Sequence, residues 1–221
     1  MTHRIFHILF CISNFAYTYA YQLCVVGATS GLGRELVYQA ALDKNMSVLA
    51  LSGSSSPLTI PCRSNSFQES ESLPPFQNPN VVRDNYWNDL SSYDYEKVVF
   101  TTGASPFKED YSDKLMSKIL TDLPPSCKNL VFISAYGVGD SLKPDEFGIN
   151  AMNSWYLKDV YRAKNAQEEM LGLNMFKKKY PNLKINIMRP RALSYGETFL
   201  KSVSRKQLAQ YVLETPVADL F

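Results

Sequence analysis

Residues 25–34 read VVGATSGLGR, and they are the most informative stretch of the chain. The two valines end an apolar run over residues 23–26, which predicts a short buried strand. The glycine-rich turn comes next, and apolar residues at helical spacing then predict a helix over residues 32–44. A glycine triplet is informative in such a setting, between a strand and a helix.

The three glycines suit a turn that binds phosphate. Gly27 permits the tight turn out of the strand, Gly31 allows a pyrophosphate to approach the backbone, and Gly33 allows close packing of the helix. Free N–H groups and the positive end of the helix dipole then favour an anion. The alternative is a turn that serves only the structure. The predicted dinucleotide-binding residues of this turn are Gly27, Thr29, Ser30, Gly31, Leu32, Gly33 and Arg34.

The type of dinucleotide depends on residues about twenty positions later, where an NAD site usually offers a carboxylate to the ribose 2′-hydroxyl. No Asp or Glu occurs in residues 44–68. The side chains of Arg34, Ser52, Ser54 and Ser55 are instead suited to a 2′-phosphate, and Arg63 is a looser candidate. The sequence therefore favours NADP as the cofactor. NAD is the alternative if Arg34 is a solvated helix residue and the serines only form a loop.

Composition limits the possible classes of protein. With 221 residues, of which 45% are apolar and 20% charged, the chain suits one globular domain. A net charge of +2 is too small for a nucleic-acid-binding surface, and no apolar run reaches the length of a membrane-spanning helix. Both histidines lie within residues 1–7, and the four cysteines lack zinc-site spacing, so neither a histidine base nor a metal site is expected.

Residues 1–20 are typical of a targeting segment. Arg4 precedes an apolar stretch, Ala20 is a small residue suited to cleavage before Tyr21, and the first acidic residue of the chain is Glu35. The predicted domain therefore covers residues 21–221, and the alternative is an additional N-terminal strand or a disordered start. Loss of Cys11 would leave three cysteines, which suits a reducing compartment. A plastid reached through the secretory route is the expected location, and the cytoplasm is the alternative.

Short apolar runs alternate with helical patterns along the remaining chain. This alternation predicts βαβ units in an α/β protein with a doubly wound parallel sheet, the Rossmann fold, as a single domain. A serine- and proline-rich loop is expected over residues 52–80, and Ser204 is expected to cap the last helix. The predicted strands cover residues 23–26, 47–51, 81–82, 97–102, 129–134 and 184–188, and the predicted helices cover residues 32–44, 113–120, 154–173 and 205–213.

Several motifs in this order resemble the short-chain dehydrogenase/reductase superfamily, in particular its atypical NAD(P)H-binding branch. They are the glycine-rich turn, VRD at residues 82–84, VFTTGA at 99–104, LVFISAYGV at 130–138, RP at 189–190 and VSRKQLA at 203–209. The resemblance implies that Asp84 lies near the adenine and that Thr102, Gly103 and Ala104 border the cofactor. The branch includes small flavin or biliverdin reductases and non-catalytic organelle assembly factors.

The catalytic pattern departs from that superfamily. Active members use a Tyr-x-x-x-Lys pair, in which the lysine lowers the tyrosine pKa, and a serine that orients the substrate. Lys164 and Ser134 match the lysine and the serine, but Val160 stands four residues before Lys164. Tyr161 is displaced by one residue and is expected to face away from Lys164. Tyr136 is the remaining candidate for a proton donor.

Two functions therefore stay open. The first is a reductase that transfers a hydride to a small, accessible acceptor, with Ser134, Tyr136 and Lys164 as catalytic residues. Lys164 would also hold the nicotinamide ribose. The second is a non-catalytic dinucleotide-binding scaffold, assembly factor or redox sensor that acts on a protein partner. The short segment over residues 191–203 leaves little chain to enclose a large substrate.

Overall fold

The computed structural model describes residues 19–61, 74–102, 112–136, 138, 158–190, 193–194 and 203–214. Along these residues strands are interspersed with helices, and three consecutive strands lie between the first and the second helix. The elements are β1 (Tyr19–Val26), α1 (Gly31–Leu42), β2 (Val48–Ser52), β3 (Val81–Asn85), β4 (Tyr93–Phe100), α2 (Ser112–Thr121), β5 (Asn129–Ile133), α3 (Lys158–Gly172), α4 (Asn174–Lys179), β6 (Lys184–Met188), β7 (Leu193–Ser194), β8 (Val203–Ser204) and α5 (Arg205–Glu214).

Six strands form one parallel sheet in the order β3-β2-β1-β4-β5-β6. The chain first adds strands on one side of β1 and then crosses back to add β4 on the other side. The strand order therefore reverses between β1 and β4, where sheets of this type bind their ligands. This topology confirms the predicted doubly wound parallel sheet. Among the described helices, none is long and apolar enough to cross a membrane.

The sheet is buried on both faces. Successive side chains of a strand point to opposite faces, so Leu23 and Val25 pack with α1 and α5, while Cys24 and Val26 pack with residues of α2. All five residues of β2 are buried. Burial on both faces explains why these strands read as continuous apolar runs.

The strands β1 and β4 are longer than predicted. Tyr19 and Ala20 pair with Tyr93 and Asp94, so β1 begins two residues before the domain boundary expected at Tyr21. The ring of Tyr21 packs edge-on against that of Tyr93, with centroids 5.9 Å apart. Pairing between these tyrosine-rich segments extends both strands where the local pattern is not apolar. Residues 1–18 of the predicted targeting segment lie outside the described residues.

The long helix predicted over residues 154–173 is interrupted near its C-terminal end. Residues 154–157 lie outside the described part of the chain, and α3 ends at Gly172. Leu173 has extended backbone angles (φ −62°, ψ 133°), so it interrupts the helix, and α4 begins at Asn174. The run Lys177, Lys178 and Lys179 forms the last turn of α4.

Candidate functional site

The turn after β1 requires its first glycine. Gly27 has φ +89°, a backbone conformation that L side chains rarely adopt. A Cβ at this position would also lie 2.8 Å from Thr101 Oγ1 and 3.1 Å from Thr102 N. The Thr101 hydroxyl donates to the Val26 carbonyl oxygen at 2.9 Å, which ties β4 to the turn. Sequence reasoning did not identify this role of Thr101.

The start of α1 packs directly on that turn. A Cβ at Gly33 would lie 2.1 Å from the Gly27 carbonyl oxygen, so only glycine fits. Ser30 is the N-cap residue, and its Oγ accepts the Gly33 N–H at 3.1 Å. This is the tight turn and close helix packing predicted for Gly27 and Gly33. The positive end of α1 therefore meets the edge of the sheet where the strand order reverses.

Arg205 adds a positive charge beside this turn. A Cβ at Gly31 would lie 2.7 Å from Arg205 Nε, so the missing side chain of Gly31 leaves room for Arg205. Arg205 begins α5 and is far from Gly31 in the sequence. Because only the packing of α5 beside α1 brings the two residues together, no local pattern predicted this contact.

A second part of the site is a pocket of about 440 Å³ beyond the ends of β2 and β3. It contains four of the predicted residues, and its lining is Ser52, Gly53, Ser54, Ser55, Arg83, Asp84 and Asn85. The predicted residue Arg34 is not part of this lining, and Arg63 lies outside the described residues. Its Nε donates to the Thr29 carbonyl oxygen at 3.0 Å, and its Nη1 donates to Thr59 Oγ1 at 3.2 Å.

Arg83 is the basic residue of this pocket. Its Nη2 donates to the Ser54 carbonyl oxygen at 2.6 Å and lies 3.5 Å from Ser52 Oγ. The Ser52 hydroxyl donates to the same carbonyl oxygen at 3.0 Å. Sequence reasoning included Arg83 in a family motif but assigned it no role, because only the pairing of β3 with β2 places it beside the serines.

Asp84 forms the acidic part of the pocket wall. Its Oδ1 accepts hydrogen bonds from the Asn85 N–H at 2.7 Å and from Asn88 Nδ2 at 2.6 Å. Its Oδ2 accepts from the Tyr93 hydroxyl at 2.8 Å. These donors stabilise the carboxylate and hold it at the end of β3, in the region where the family resemblance expects the adenine.

The third part of the site lies at the ends of β4 and β5. Lys164 of α3 is only 5% exposed, and its Nζ donates to the carbonyl oxygens of Thr102 at 2.7 Å and Ile133 at 2.9 Å. The same Nζ lies 4.6 Å from the centroid of the Phe132 ring. The structure thus brings together Lys164, Thr102 and the start of the segment that contains Ser134. Gly103 and Ala104 lie outside the described residues.

Two buried hydroxyl groups at this edge fit a polar ligand. Ser134 is 6% exposed, and neither its Oγ nor Thr102 Oγ1 has a hydrogen-bond partner among the described residues. Buried polar groups in native proteins nearly always have a partner. A ligand with polar groups, lying across the ends of β4 and β5, would supply the missing hydrogen bonds.

Tyr161 contacts the segment after β5. Its hydroxyl donates to the Tyr136 carbonyl oxygen at 2.8 Å, whereas Lys164 reaches the Ile133 carbonyl oxygen at the end of β5. That Tyr161 faces away from Lys164 stays a prediction. The Tyr136 N–H donates to the Pro190 carbonyl oxygen at 3.0 Å, which anchors this segment to the end of β6.

An ion pair fixes α3 against the end of β6. Arg189 Nε donates to Glu168 Oε1 at 3.0 Å, and Arg189 Nη2 donates to Glu168 Oε2 at 2.6 Å. Glu168 lies one helical turn after Lys164. The two-point contact therefore holds the turn of α3 that carries Lys164.

The described cysteines do not suit catalysis. Burial raises the pKa of the Cys24 thiol well above its usual value and that of Cys127 to about 12. Both groups therefore remain thiols near neutral pH, whereas a nucleophile requires the thiolate. Within the described ranges, no group of three His, Cys, Asp or Glu side chains could hold a metal ion.

Comparisons with known proteins find likeness in structure only. No protein-family model matches the chain, and no curated protein matches it. Among solved structures, the anaerobillin reductase ChuY from Escherichia coli O157:H7 has a TM-score of 0.53 at 14% identity, covering 90% of this chain and 90% of its own.

Two structures of a short-chain dehydrogenase/reductase from Veillonella parvula DSM 2008 are also similar. The ethylated form has a TM-score of 0.58 at 14% identity, covering 88% of this chain and 86% of its own. The wide type, in complex with NADP, has a TM-score of 0.55 at 12% identity, covering 90% and 91%. At such identities the likeness shows the fold. The chain therefore has the Rossmann fold of these reductases, as its resemblance to the short-chain dehydrogenase/reductase superfamily implied.

Proposed function

We propose that this protein is a nicotinamide-dinucleotide-dependent reductase that prefers NADP and acts on a small, accessible acceptor. The observation that carries the proposal is the turn at residues 27–33, where Gly33 lets α1 pack on the backbone at the reversal of strand order. The similar fold of ChuY, a reductase, and of a Veillonella parvula protein in complex with NADP supports it.

The proposed binding mode follows the edge of the sheet. The N–H groups at the start of α1 bind the pyrophosphate, because they carry the positive end of the helix dipole. The pocket beyond β2 and β3 takes the adenosine, with Asp84 near the adenine and Ser52 and Ser54 near the ribose. Thr102, Ser134 and Lys164 hold the nicotinamide end, where the hydroxyls of Thr102 and Ser134 have no other described partner.

The bound dinucleotide supplies the hydride. We propose that Ser134 orients the acceptor, that Tyr136 or solvent donates the proton, and that Lys164 holds the nicotinamide ribose. Val160 replaces the tyrosine one turn before Lys164. An electrophilic acceptor that requires little acid catalysis therefore suits this site better than a ketone.

The binding part of the proposal is tested by thermal unfolding with NADPH and NADH. A ligand that binds only the folded state stabilises it by about 2.7 kcal/mol at a concentration of 100 times Kd. We expect NADPH to raise the unfolding midpoint more than NADH. Gly31→Asp serves as the control, because it adds a negative charge where the pyrophosphate is expected. The proposal fails if neither dinucleotide raises the midpoint of the unaltered protein.

The catalytic part is tested by oxidation of NADPH with quinone and flavin acceptors. We expect Tyr136→Phe to lower kcat, because general-acid groups typically contribute about 10²-fold or more. The binding of NADPH should not change in this variant. If neither Tyr136→Phe nor Lys164→Ala alters the rate, no side chain at this edge takes part in the chemistry.

A second candidate function is a non-catalytic dinucleotide-binding protein that stabilises or signals to a protein partner. Two observations favour it: Val160 precedes Lys164, and the Lys164 ammonium joins the backbones of β4 and β5 through Thr102 and Ile133. Binding of NADPH without turnover over the acceptor panel would select this function.

We also propose that residues 1–20 direct the protein to its compartment, with a plastid as the expected location. The proposal rests on the acid-poor sequence of this segment. The N-terminal residue of the protein purified from its native cells tests it directly, since cleavage as proposed leaves Tyr21 at the N-terminus.

A further inference from the structure

We infer that Arg83 of β3 binds a 2′-phosphate and thereby selects NADP over NAD. The inference rests on the proposed function and assigns its cofactor preference to one residue. It also replaces Arg34 in the role that the sequence alone suggested.

Arg83 lies beside the segment that follows β2. Arg83 pairs in register with Ala50 of β2, and its guanidinium reaches past the end of that strand to the Ser54 carbonyl oxygen. The region just after β2 is where NAD sites usually place the carboxylate that binds the ribose 2′-hydroxyl. In this protein, a cation occupies that region.

The described hydrogen bonds of Arg83 use only part of its guanidinium group. Its described partners are the Ser54 carbonyl oxygen and the Ser52 hydroxyl, and both are approached by the same nitrogen, Nη2. Both partners are neutral, and no described carboxylate pairs with Arg83. A guanidinium group has five N–H donors arranged in a planar fork that fits a phosphate. Arg83 therefore retains donors for an anion in the pocket.

The loop facing Arg83 is held in place. A Cβ at Gly53 would lie 2.1 Å from the Tyr86 hydroxyl oxygen, so Tyr86 packs directly on the loop backbone. Ser54 Oγ accepts the Ser56 N–H at 3.0 Å. These contacts fix the backbone that positions the Arg83 guanidinium and the Ser52 hydroxyl around the pocket.

The neighbouring charged residues are already engaged. Asp84 follows Arg83 on β3, so its side chain leaves the opposite face of the strand, and its carboxylate accepts three hydrogen bonds. Arg34 lies outside the pocket lining and contacts Thr29 and Thr59. Arg83 is therefore better placed than Arg34 to recognise a phosphate in the pocket.

The test compares two nucleotides that differ only in the 2′-phosphate, namely 2′,5′-ADP and 5′-AMP, by calorimetric titration of the full chain. The unaltered protein should bind 2′,5′-ADP at least about tenfold more tightly. Arg83→Gln should weaken the binding of 2′,5′-ADP by about tenfold to a hundredfold, as expected for loss of a hydrogen bond to a charged group. The affinity of Arg83→Gln for 5′-AMP should change less than about threefold. The affinity of Arg34→Gln for each of the two nucleotides should also change less than about threefold.

Two further variants separate recognition from general effects. Arg162→Gln removes an exposed arginine that pairs with Asp159, so it controls for the loss of one positive charge. Arg83→Lys keeps the charge but lacks the planar fork, so its affinity for 2′,5′-ADP should be intermediate. It also keeps the test decisive if Arg83→Gln does not fold.

The outcomes distinguish the inference from the proposed function. The inference is overturned, while dinucleotide binding stands, if 5′-AMP and NADH bind but the 2′-phosphate does not increase the affinity. It is also overturned if Arg34→Gln removes the higher affinity for 2′,5′-ADP and the Arg83 variants do not. If the unaltered protein binds none of NADPH, NADH and the two nucleotides, the proposed function fails and the inference fails with it.

Discussion

At the scale of single residues, the site depends on glycines, whose lack of a side chain allows close packing. Gly33 allows the backbone of α1 to touch the Gly27 carbonyl oxygen, and Gly31 allows Arg205 to lie beside the N-terminus of the helix. A methyl group at Gly33 would force the helix away from the strand. The turn that is expected to bind phosphate is therefore also a packing contact.

Replacing Gly33 with alanine should destabilise the protein. We expect the free energy of unfolding to fall by about 1–3 kcal/mol, because the new Cβ would lie 2.1 Å from a backbone oxygen. Unfolding in urea measures the change. Gly172→Ala is the matched control, because nothing lies within 4 Å of its added Cβ, and alanine favours a helix. Equal stability of the two variants would contradict this account of the turn.

Lys164 combines a structural contact with a proposed role in the site. Its buried ammonium satisfies carbonyl groups of Thr102 and Ile133, at the ends of two neighbouring strands. The same charge lies beside the edge where the nicotinamide is expected. Loss of activity in a Lys164 variant therefore has to be compared with its loss of stability before a chemical role is assigned.

At the scale of elements, α5 completes the site from the far end of the chain. It packs on the same face of the sheet as α1, where the Gln39 side-chain amide donates to the Lys206 carbonyl oxygen at 3.0 Å. The Lys97 ammonium of β4 donates to the Val212 carbonyl oxygen. Ser204 caps the helix, since its Oγ accepts the Gln207 N–H at 3.1 Å, which confirms the cap predicted from the sequence.

Removal of this cap should cost a moderate amount of stability. We expect Ser204→Ala to lower the free energy of unfolding by about 1 kcal/mol, as is typical of a lost N-cap. Ser117→Ala, at an exposed position within α2, is the control and should be neutral or slightly stabilising. Chemical denaturation measures both. If the two variants unfolded at the same denaturant concentration, the cap would not contribute to stability.

At the scale of the whole molecule, one parallel sheet brings three separate regions to a common edge. The turn follows β1, the pocket lies beyond β2 and β3, and the buried hydroxyls of Thr102 and Ser134 lie beyond β4 and β5. All strands run in the same direction, so their carboxyl ends meet at this edge. The proposed dinucleotide would contact all three regions.

The domain should fold without residues 1–20. A chain that begins at Tyr21 keeps the pairing of Leu23–Val26 with both β2 and β4, and among the described pairings it loses that of Tyr19 and Ala20 with β4. We expect a cooperative thermal transition whose midpoint is lower by about 2–4 °C, corresponding to about 1 kcal/mol. Circular dichroism measures it, and absence of a transition would show that the domain begins earlier than predicted.

The sequence alone predicts the order along the chain of the six strands of the sheet and the location of the glycine-rich turn. These are local signals: apolar runs and helical periodicity report burial on the faces of single elements, and the glycine spacing reports a turn. The predictions for β2, β5 and β6 therefore agree with the structure within one or two residues.

The contacts between the separate regions of the candidate site depend on the tertiary structure. Arg205 beside Gly31, Arg83 beside Ser54 and the Tyr161 hydroxyl on the Tyr136 carbonyl join residues that are distant in the chain. Strand register and helix packing bring them together. No local pattern encodes these contacts, because each depends on which strands become neighbours and on which face of the sheet a helix packs.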